Sequence, residues 1–165
     1  MKTDKIYLVG FMGAGKTTVA QALARRLGWQ AEDVDALIEA REHRSVADIF
    51  AREGEPFFRA LEKQVIFSLL PARHVVVATG GGTFVDAENR AAINADGTSV
   101  WLDLPFDEVL TRLPPDGRRP LAADLAQLTR LYEVRRLAYE QAHIKMDASH
   151  LRTEELIEQL VDKLE

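Results

Sequence analysis

Residues 10–17, Gly10-Phe11-Met12-Gly13-Ala14-Gly15-Lys16-Thr17, fill the pattern G-x-x-x-x-G-K-[ST]. The flanks restrict what this stretch can be. Ile6-Tyr7-Leu8-Val9 is a short apolar run suited to a buried strand. Val19, Ala20, Leu23, Ala24 and Leu27 follow at helical spacing, with Gly28 as a stop signal. A strand, a tight glycine turn and a helix start together aim backbone N–H groups and the positive end of a helix dipole at one point. Lys16 adds a full charge there, and the Thr17 hydroxyl is a ligand of the kind Mg²⁺ takes. The segment therefore reads as a phosphate-binding loop for a nucleoside triphosphate, with Gly13, Ala14, Gly15, Lys16, Thr17 and Thr18 as its contact residues.

The rest of the chain alternates strand-like and helix-like segments. Glu32-Asp33-Val34-Asp35 precedes a helical pattern that starts at Ala36-Leu37-Ile38. Ser45 is placed to cap a helix over 46–52 that Gly54 stops, and Pro56 opens a longer one. In that longer helix Phe57, Leu61, Val65 and Leu69 recur every four residues, with Phe58 and Ile66 beside them. A β-branched run from His74 to Ala78 ends in Gly80-Gly81-Gly82. A helix over 86–95, a strand over 99–104 and a helix over 106–113 lead to Pro114-Pro115-Asp116-Gly117. No firm pattern continues to about Asp124; a helix over about 126–142, a strand over 144–147 and a helix from Thr153 finish the chain. Alternation of this kind implies right-handed crossovers and an α/β fold, a parallel sheet covered on both faces. Ligands of such sheets sit beyond the carboxyl ends of the strands. The loop at 10–17, Asp33/Asp35 and the glycine triplet all fall at such ends, so one cleft is expected to collect them.

Composition narrows the function classes. At 165 residues one domain, 1–165, is expected. With no cysteine, neither a disulfide framework nor a thiolate metal site is possible. A net charge of −5 argues against nucleic acid as main partner. No apolar run approaches the ~20 residues that span a bilayer, and a first strand within a few residues of Met1 leads us to expect no targeting peptide. His43, His74, His143 and His150 share no metal-ligand spacing, and Trp29 and Trp101 read as packing residues.

Five further features appear in order: Asp33-x-Asp35; Ser45-Val46-Ala47-Asp48-Ile49-Phe50 leading to Gly54-Glu55-x-x-Phe58-Arg59-x-x-Glu62; Gly80-Gly81-Gly82; Arg119-Pro120-Leu121; and Arg135 with Tyr139. Together with the phosphate loop they resemble the shikimate kinase family, along nearly the whole chain. The resemblance implies a three-layer αβα P-loop kinase fold with a five-stranded parallel central sheet and a mobile lid at about 113–125. It also implies a substrate-binding helical region at about 35–62. The implied activity is transfer of the γ-phosphoryl group of ATP, with Mg²⁺, to the 3-hydroxyl of shikimate by a cytoplasmic monomer.

The residue roles follow from chemistry and resemblance together. Phosphoryl transfer is mostly positioning and charge neutralisation. Lys16 would hold the β- and γ-phosphates, and Thr17 and Asp33 would support Mg²⁺, directly or through water. Asp35 matches the carboxylate that orients the attacking hydroxyl and accepts its proton; an acid in this position also reads as a helix cap. Arg59 and Arg135 match the arginines that bind the substrate carboxylate, for which a planar guanidinium is well shaped. Glu62, three residues on, can hold Arg59 in place. The family commonly shows Arg-x-Pro-x-Tyr where this chain has Arg135-Arg136-Leu137-Ala138-Tyr139. Arg136 is thus an alternative, with Arg135 preferred for its spacing to Tyr139. Phe50 and Phe58 match the walls of the substrate ring. Gly80, Gly81 and Gly82 can adopt positive φ and let a ligand approach backbone N–H groups. Arg119, with Arg118 as a competitor, matches the lid arginine, and Arg112 the residue stacked on adenine. A gluconate or nucleoside monophosphate kinase, or a non-catalytic ATP-binding module, remains as an alternative function.

Overall fold

The computed structural model describes residues 1–112 and 122–165, with no side chains given at 122 and 123. The expected lid falls mostly on 113–121, so Arg118, Arg119 and the Pro114-Pro115 hinge lie outside the described residues.

Five strands form one sheet in the order β2-β3-β1-β4-β5. They are β1 (Lys5–Val9), β2 (Gln30–Asp33), β3 (Val75–Ala78), β4 (Thr98–Asp103) and β5 (Ile144–Asp147). Every pairing is parallel. The α-helices among the described residues are α1 (Lys16–Leu27), α2 (Val34–Glu42), α3 (Val46–Glu53), α4 (Glu55–Leu69), α5 (Ala87–Asp96), α6 (Phe106–Thr111), α7 (Ala122–Tyr139) and α8 (Thr153–Leu164). Helices flank the sheet in three layers. α1 and α8 pack on each other, while α4, α5 and α7 are tied together through a short 3₁₀ turn at Thr83–Val85. β1 and β3, covered on both sides, are buried at every position, as parallel strands require. β2 is an edge strand of sequence Gln-Ala-Glu-Asp with its first two residues exposed, so it carries no apolar signature.

β1 has β3 on one side and β4 on the other, which makes its carboxyl end the point where connections diverge. Register completes the placement. Leu8 of β1 and Asp33 of β2 both align with Ala78, so Gly10, Asp33 and Gly80 leave the sheet at nearly one level.

Local signals act as expected at most helix ends. The Ser45 hydroxyl accepts from the Asp48 N–H, Asp86 caps α5, and Gly28 closes α1 in the left-handed region. α4 departs from its pattern. Its buried face is Phe58, Glu62, Val65, Ile66 and Leu69, while Phe57 is exposed beneath the Arg44 guanidinium. A strict repeat of four drifts around a 3.6-residue helix, which turns Phe57 outward and an acid inward. α7 starts four residues before the expected position, because Ala122, Ala123 and Leu125 are strong helix formers downstream of the last breaker. It ends at Tyr139, where Gln141 and Ala142 turn the chain with bonds to Ala138 and Tyr139. No helix among the described residues is long and apolar enough to cross a membrane.

The amino ends of the strands are locked by an ionic cluster. Lys5 is fully buried and its Nζ lies 2.7 Å from Asp96 Oδ2, with further bonds to the carbonyls of Leu69 and Leu70. Asp96 also accepts from the Tyr7 hydroxyl at 2.7 Å and pairs with Arg73 at 2.7 Å. Removing one partner of such a cluster leaves an uncompensated buried charge. Asp96→Ala is therefore expected to lower unfolding stability by about 3–5 kcal/mol in urea titration; a loss under ~1 kcal/mol would show the cluster to be no more than a surface pair.

Candidate active site

The phosphate loop begins one residue past β1 and runs into α1. Gly15 has φ +86° at the helix cap, a left-handed conformation that leaves the following N–H groups facing outward. Lys16 curls over the loop, donating from Nζ to the carbonyls of Gly10 at 2.5 Å and Phe11 at 3.0 Å. Burial pulls its pKa down to about 8, although Asp35 opposes the shift. The Thr17 hydroxyl donates to Asp33 Oδ2 at 2.5 Å, and Asp33 Oδ1 accepts from the Ala36 N–H at 3.0 Å. Asp33 thus caps α2 and faces the loop at the same time.

These groups line a cleft of about 290 Å³ between the loop and the glycine turn, shared with Thr18, Asp35, Thr79, Gly80 and Gly81. Arg112 lies over the loop from the end of α6: its Cβ is 3.5 Å from where a side chain on Gly13 would begin. It pairs at 3.7 Å with Glu108.

Asp35 sits in the first turn of α2. Its Oδ1 is buried and, among the described residues, has no hydrogen-bond partner. Burial, then the charges of Asp33 and Glu62, raise its pKa to about 6, against the pull of Lys16. A carboxylate so placed is a stronger base than an exposed aspartate.

The second half of the site comes from α4 and α7. Arg59 Nη1 donates to both oxygens of Glu62, at 3.0 and 3.1 Å, and its Nε reaches Glu55 at 3.3 Å. Its guanidinium lies over the Phe58 ring, which in turn packs on Phe50 with centroids 4.6 Å apart. Phe58 is buried and Phe50 lies open to solvent. Arg135 lies over the Phe11 ring and, among the described residues, forms no ion pair. Burial lowers its pKa, and the nearby Arg59 charge does so too. Arg136 points elsewhere: it pairs with Asp103 at 2.6 Å, donates from Nη1 to the Tyr132 hydroxyl at 2.8 Å and stacks on Trp101.

The glycine triplet joins the two halves. A Cβ on Gly80 would lie 3.1 Å from Asp35 Oδ1 and 3.2 Å from Glu62 Oε2. On Gly81 it would lie 3.0 Å from Arg135 Nη1, and on Gly82 2.6 Å from Arg59 Nη1 and Cζ. None of the three has positive φ, which corrects that half of the sequence-based reason for them; Gly82 is at φ −103°. They are needed for close approach, not for backbone conformation. Each leaves room for a different charged group.

Pattern reading missed Thr83 and left Tyr139 as a mere spacing marker. Both are buried, and both bind the glycine turn: Thr83 Oγ1 accepts from Gly80 N–H at 2.9 Å, and the Tyr139 hydroxyl donates to the Gly81 carbonyl at 2.5 Å. A polar residue directly after a glycine run is the only sequence sign of Thr83.

Among the described residues no group of three or more His, Cys, Asp or Glu side chains could hold a metal. The pair Thr17 Oγ1 and Asp33 Oδ2 suits a hard cation that keeps waters and takes its remaining ligands from phosphates, as Mg²⁺ does.

The sequence model of one protein family, Shikimate kinase, matches residues 12–165. A shikimate kinase of Persephonella marina is 38% identical over 160 residues, covering 96% of this chain and 98% of that one. The crystal structure of shikimate kinase from Aquifex aeolicus superposes with a TM-score of 0.88 at 36% identity, covering 97% of this chain and 95% of that one. Shikimate kinase from Acinetobacter baumannii in complex with shikimate gives 0.91 at 34% identity, covering 99% and 93%.

The electrostatics of the cleft are directly measurable. Carboxyl NMR titration is expected to place Asp35 at about 6, and Lys16→Met, which removes a cation that lowers this pKa, should move it higher. No upward movement would mean that the two groups do not face one another.

Proposed function

This chain belongs to the shikimate kinase family, and we propose from that premise that it transfers the γ-phosphoryl group of ATP to the 3-hydroxyl of shikimate. The observation that carries this reading is the spacing across Gly80–Gly82, where an acid of raised pKa and two arginines meet three successive residues beside a phosphate loop. Polyphosphate and a small carboxylic acid are thereby given adjoining seats.

In this reading the loop amides of residues 13–18 and the α1 dipole take the phosphates, and Lys16 exchanges its loop carbonyls for the β- and γ-phosphate oxygens. Mg²⁺, held by Thr17 and Asp33 directly or through water, would supply charge neutralisation at those oxygens. Arg59 and Arg135 bind the shikimate carboxylate; two like charges that destabilise one another gain from an anion placed between them. Phe50 and Phe58 wall the ring. Asp35 accepts the 3-hydroxyl proton as that oxygen bonds to the γ-phosphorus and the bond to the departing ADP oxygen breaks. Arg112 covers the base. Arg119, outside the described residues, is assigned by the family resemblance to neutralising charge in the transition state. The groups assigned among the described residues all belong to one chain, which supports a monomer, and use of ATP is compatible with a cytoplasmic enzyme.

A coupled assay with shikimate, gluconate and AMP side by side tests the reading. Turnover is expected with shikimate alone; comparable rates on gluconate or AMP, or no turnover on any acceptor despite tight ATP binding, would overturn it. Arg59→Ala should raise KM for shikimate by about tenfold or more, the scale of a lost hydrogen bond between charged groups. KM for ATP should stay unchanged, and equal weakening of both would reveal general damage instead. Asp35→Asn is expected to lower kcat by ~10²-fold or more. In the unaltered enzyme kcat/KM should rise as Asp35 deprotonates through about 6 and fall as Lys16 loses its proton through about 8. A flat profile below pH 7 would remove Asp35 as the base.

A further inference from the structure

Thr83 follows the glycine turn and is fully buried, yet no part of the mechanism above uses it. Its Oγ1 accepts from the Gly80 N–H at 2.9 Å and contacts Glu62 Oε2 at 2.8 Å. A backbone N–H can only donate, and a hydroxyl has one proton. That proton is therefore left for Glu62, whose Oε2 accepts it. Glu62 is itself fully buried and grips Arg59 Nη1 with both oxygens. On its other side the guanidinium lies flat on Gly82, where no side chain would fit. One oxygen atom thus ties together the two surfaces that confine Arg59, the carboxylate that holds it and the backbone on which it rests.

We propose that Thr83 is a positioning residue for acid recognition: its hydroxyl fixes the Glu62 carboxylate to the glycine turn, so that Arg59 is presented to the substrate carboxylate in one orientation. The inference rests on the reading of Arg59 as an acid-binding residue. It assigns Thr83 no contact with substrate. It also separates Thr83 from the turn's own integrity, because Gly81 keeps an independent anchor in the Tyr139 hydroxyl.

Steady-state kinetics on the full chain, with shikimate and ATP each varied, test it through Thr83→Val, Thr83→Ser, Arg59→Ala, Glu62→Gln and the double variant Thr83→Val/Glu62→Gln. Thr83→Val keeps the shape and removes the hydroxyl. It should raise KM for shikimate by about tenfold, the scale of one hydrogen bond to a charged group, with KM for ATP and kcat within about threefold. Thr83→Ser should restore KM for shikimate to within about threefold of the parent, and the double variant should be no worse than Glu62→Gln alone. An unchanged KM in Thr83→Val, a parallel rise of both KM values, failure of serine to rescue, or additive losses in the double variant would each overturn the proposal. If Thr83→Val does not fold by circular dichroism, Thr83→Ala takes its place under the same criteria. A normal KM for shikimate in Arg59→Ala would remove the acid-binding reading and this inference with it. A raised KM in Arg59→Ala beside a normal one in Thr83→Val would overturn this inference alone.

Discussion

Close approach at Gly80–Gly82 is the constraint on which the site depends. Three consecutive backbone units bring Asp35, Arg135 and Arg59 within van der Waals reach of one short turn. A single Cβ at Gly82 would displace a guanidinium, and real side chains do not meet Cβ atoms at 2.6 Å. The turn is held in turn by what surrounds it. β3 delivers it at the level of the phosphate loop, Thr83 and Tyr139 bond it from two sides, and the 3₁₀ turn connects it to α5 and α7. Sheet register and glycine geometry together set the distances between reacting groups, which is where most of the catalysis of phosphoryl transfer lies.

Charge is distributed unevenly across that turn. On the loop side Lys16 faces Asp33 and Asp35; burial pulls the lysine down and pushes Asp35 up, while Lys16 and Asp35 each oppose the other's shift. On the far side Arg59 is compensated by a buried glutamate, while Arg135, over the Phe11 ring, forms no ion pair among the described residues. One guanidinium is fixed and the other carries charge to spare. An arrangement of that kind favours an anionic ligand by geometry as well as by sign.

Much of this was legible in the residues. The phosphate loop, the cap at Ser45, and the strand at Ile144–Asp147 follow from local rules that tertiary packing did not override. β2 was hidden because an edge strand of Gln-Ala-Glu-Asp has no apolar alternation to read. Phe57 misled because a regular repeat of four is not the helical period, and the true inner face contains Glu62, an acid whose burial only its partner Arg59 explains. Of the two reasons the sequence offers for the glycines, conformational freedom is not used, and only coordinates show which groups crowd the missing side chains. Arg135 and Arg136 could be separated by spacing to Tyr139, but that Arg136 is engaged by Asp103 and Trp101 depends on a strand some thirty residues earlier in the chain, beyond any local pattern.

The ionic cluster around Lys5 and Asp96 lies at the amino ends of the strands, while Asp33, Lys16 and the glycine turn lie at or past their carboxyl ends. Durability and reactivity are thereby lodged at opposite poles of the same sheet. Lineages adapting to hotter surroundings are free to reinforce one pole without retuning the other, and an engineer seeking a hardier catalyst has an obvious place to begin.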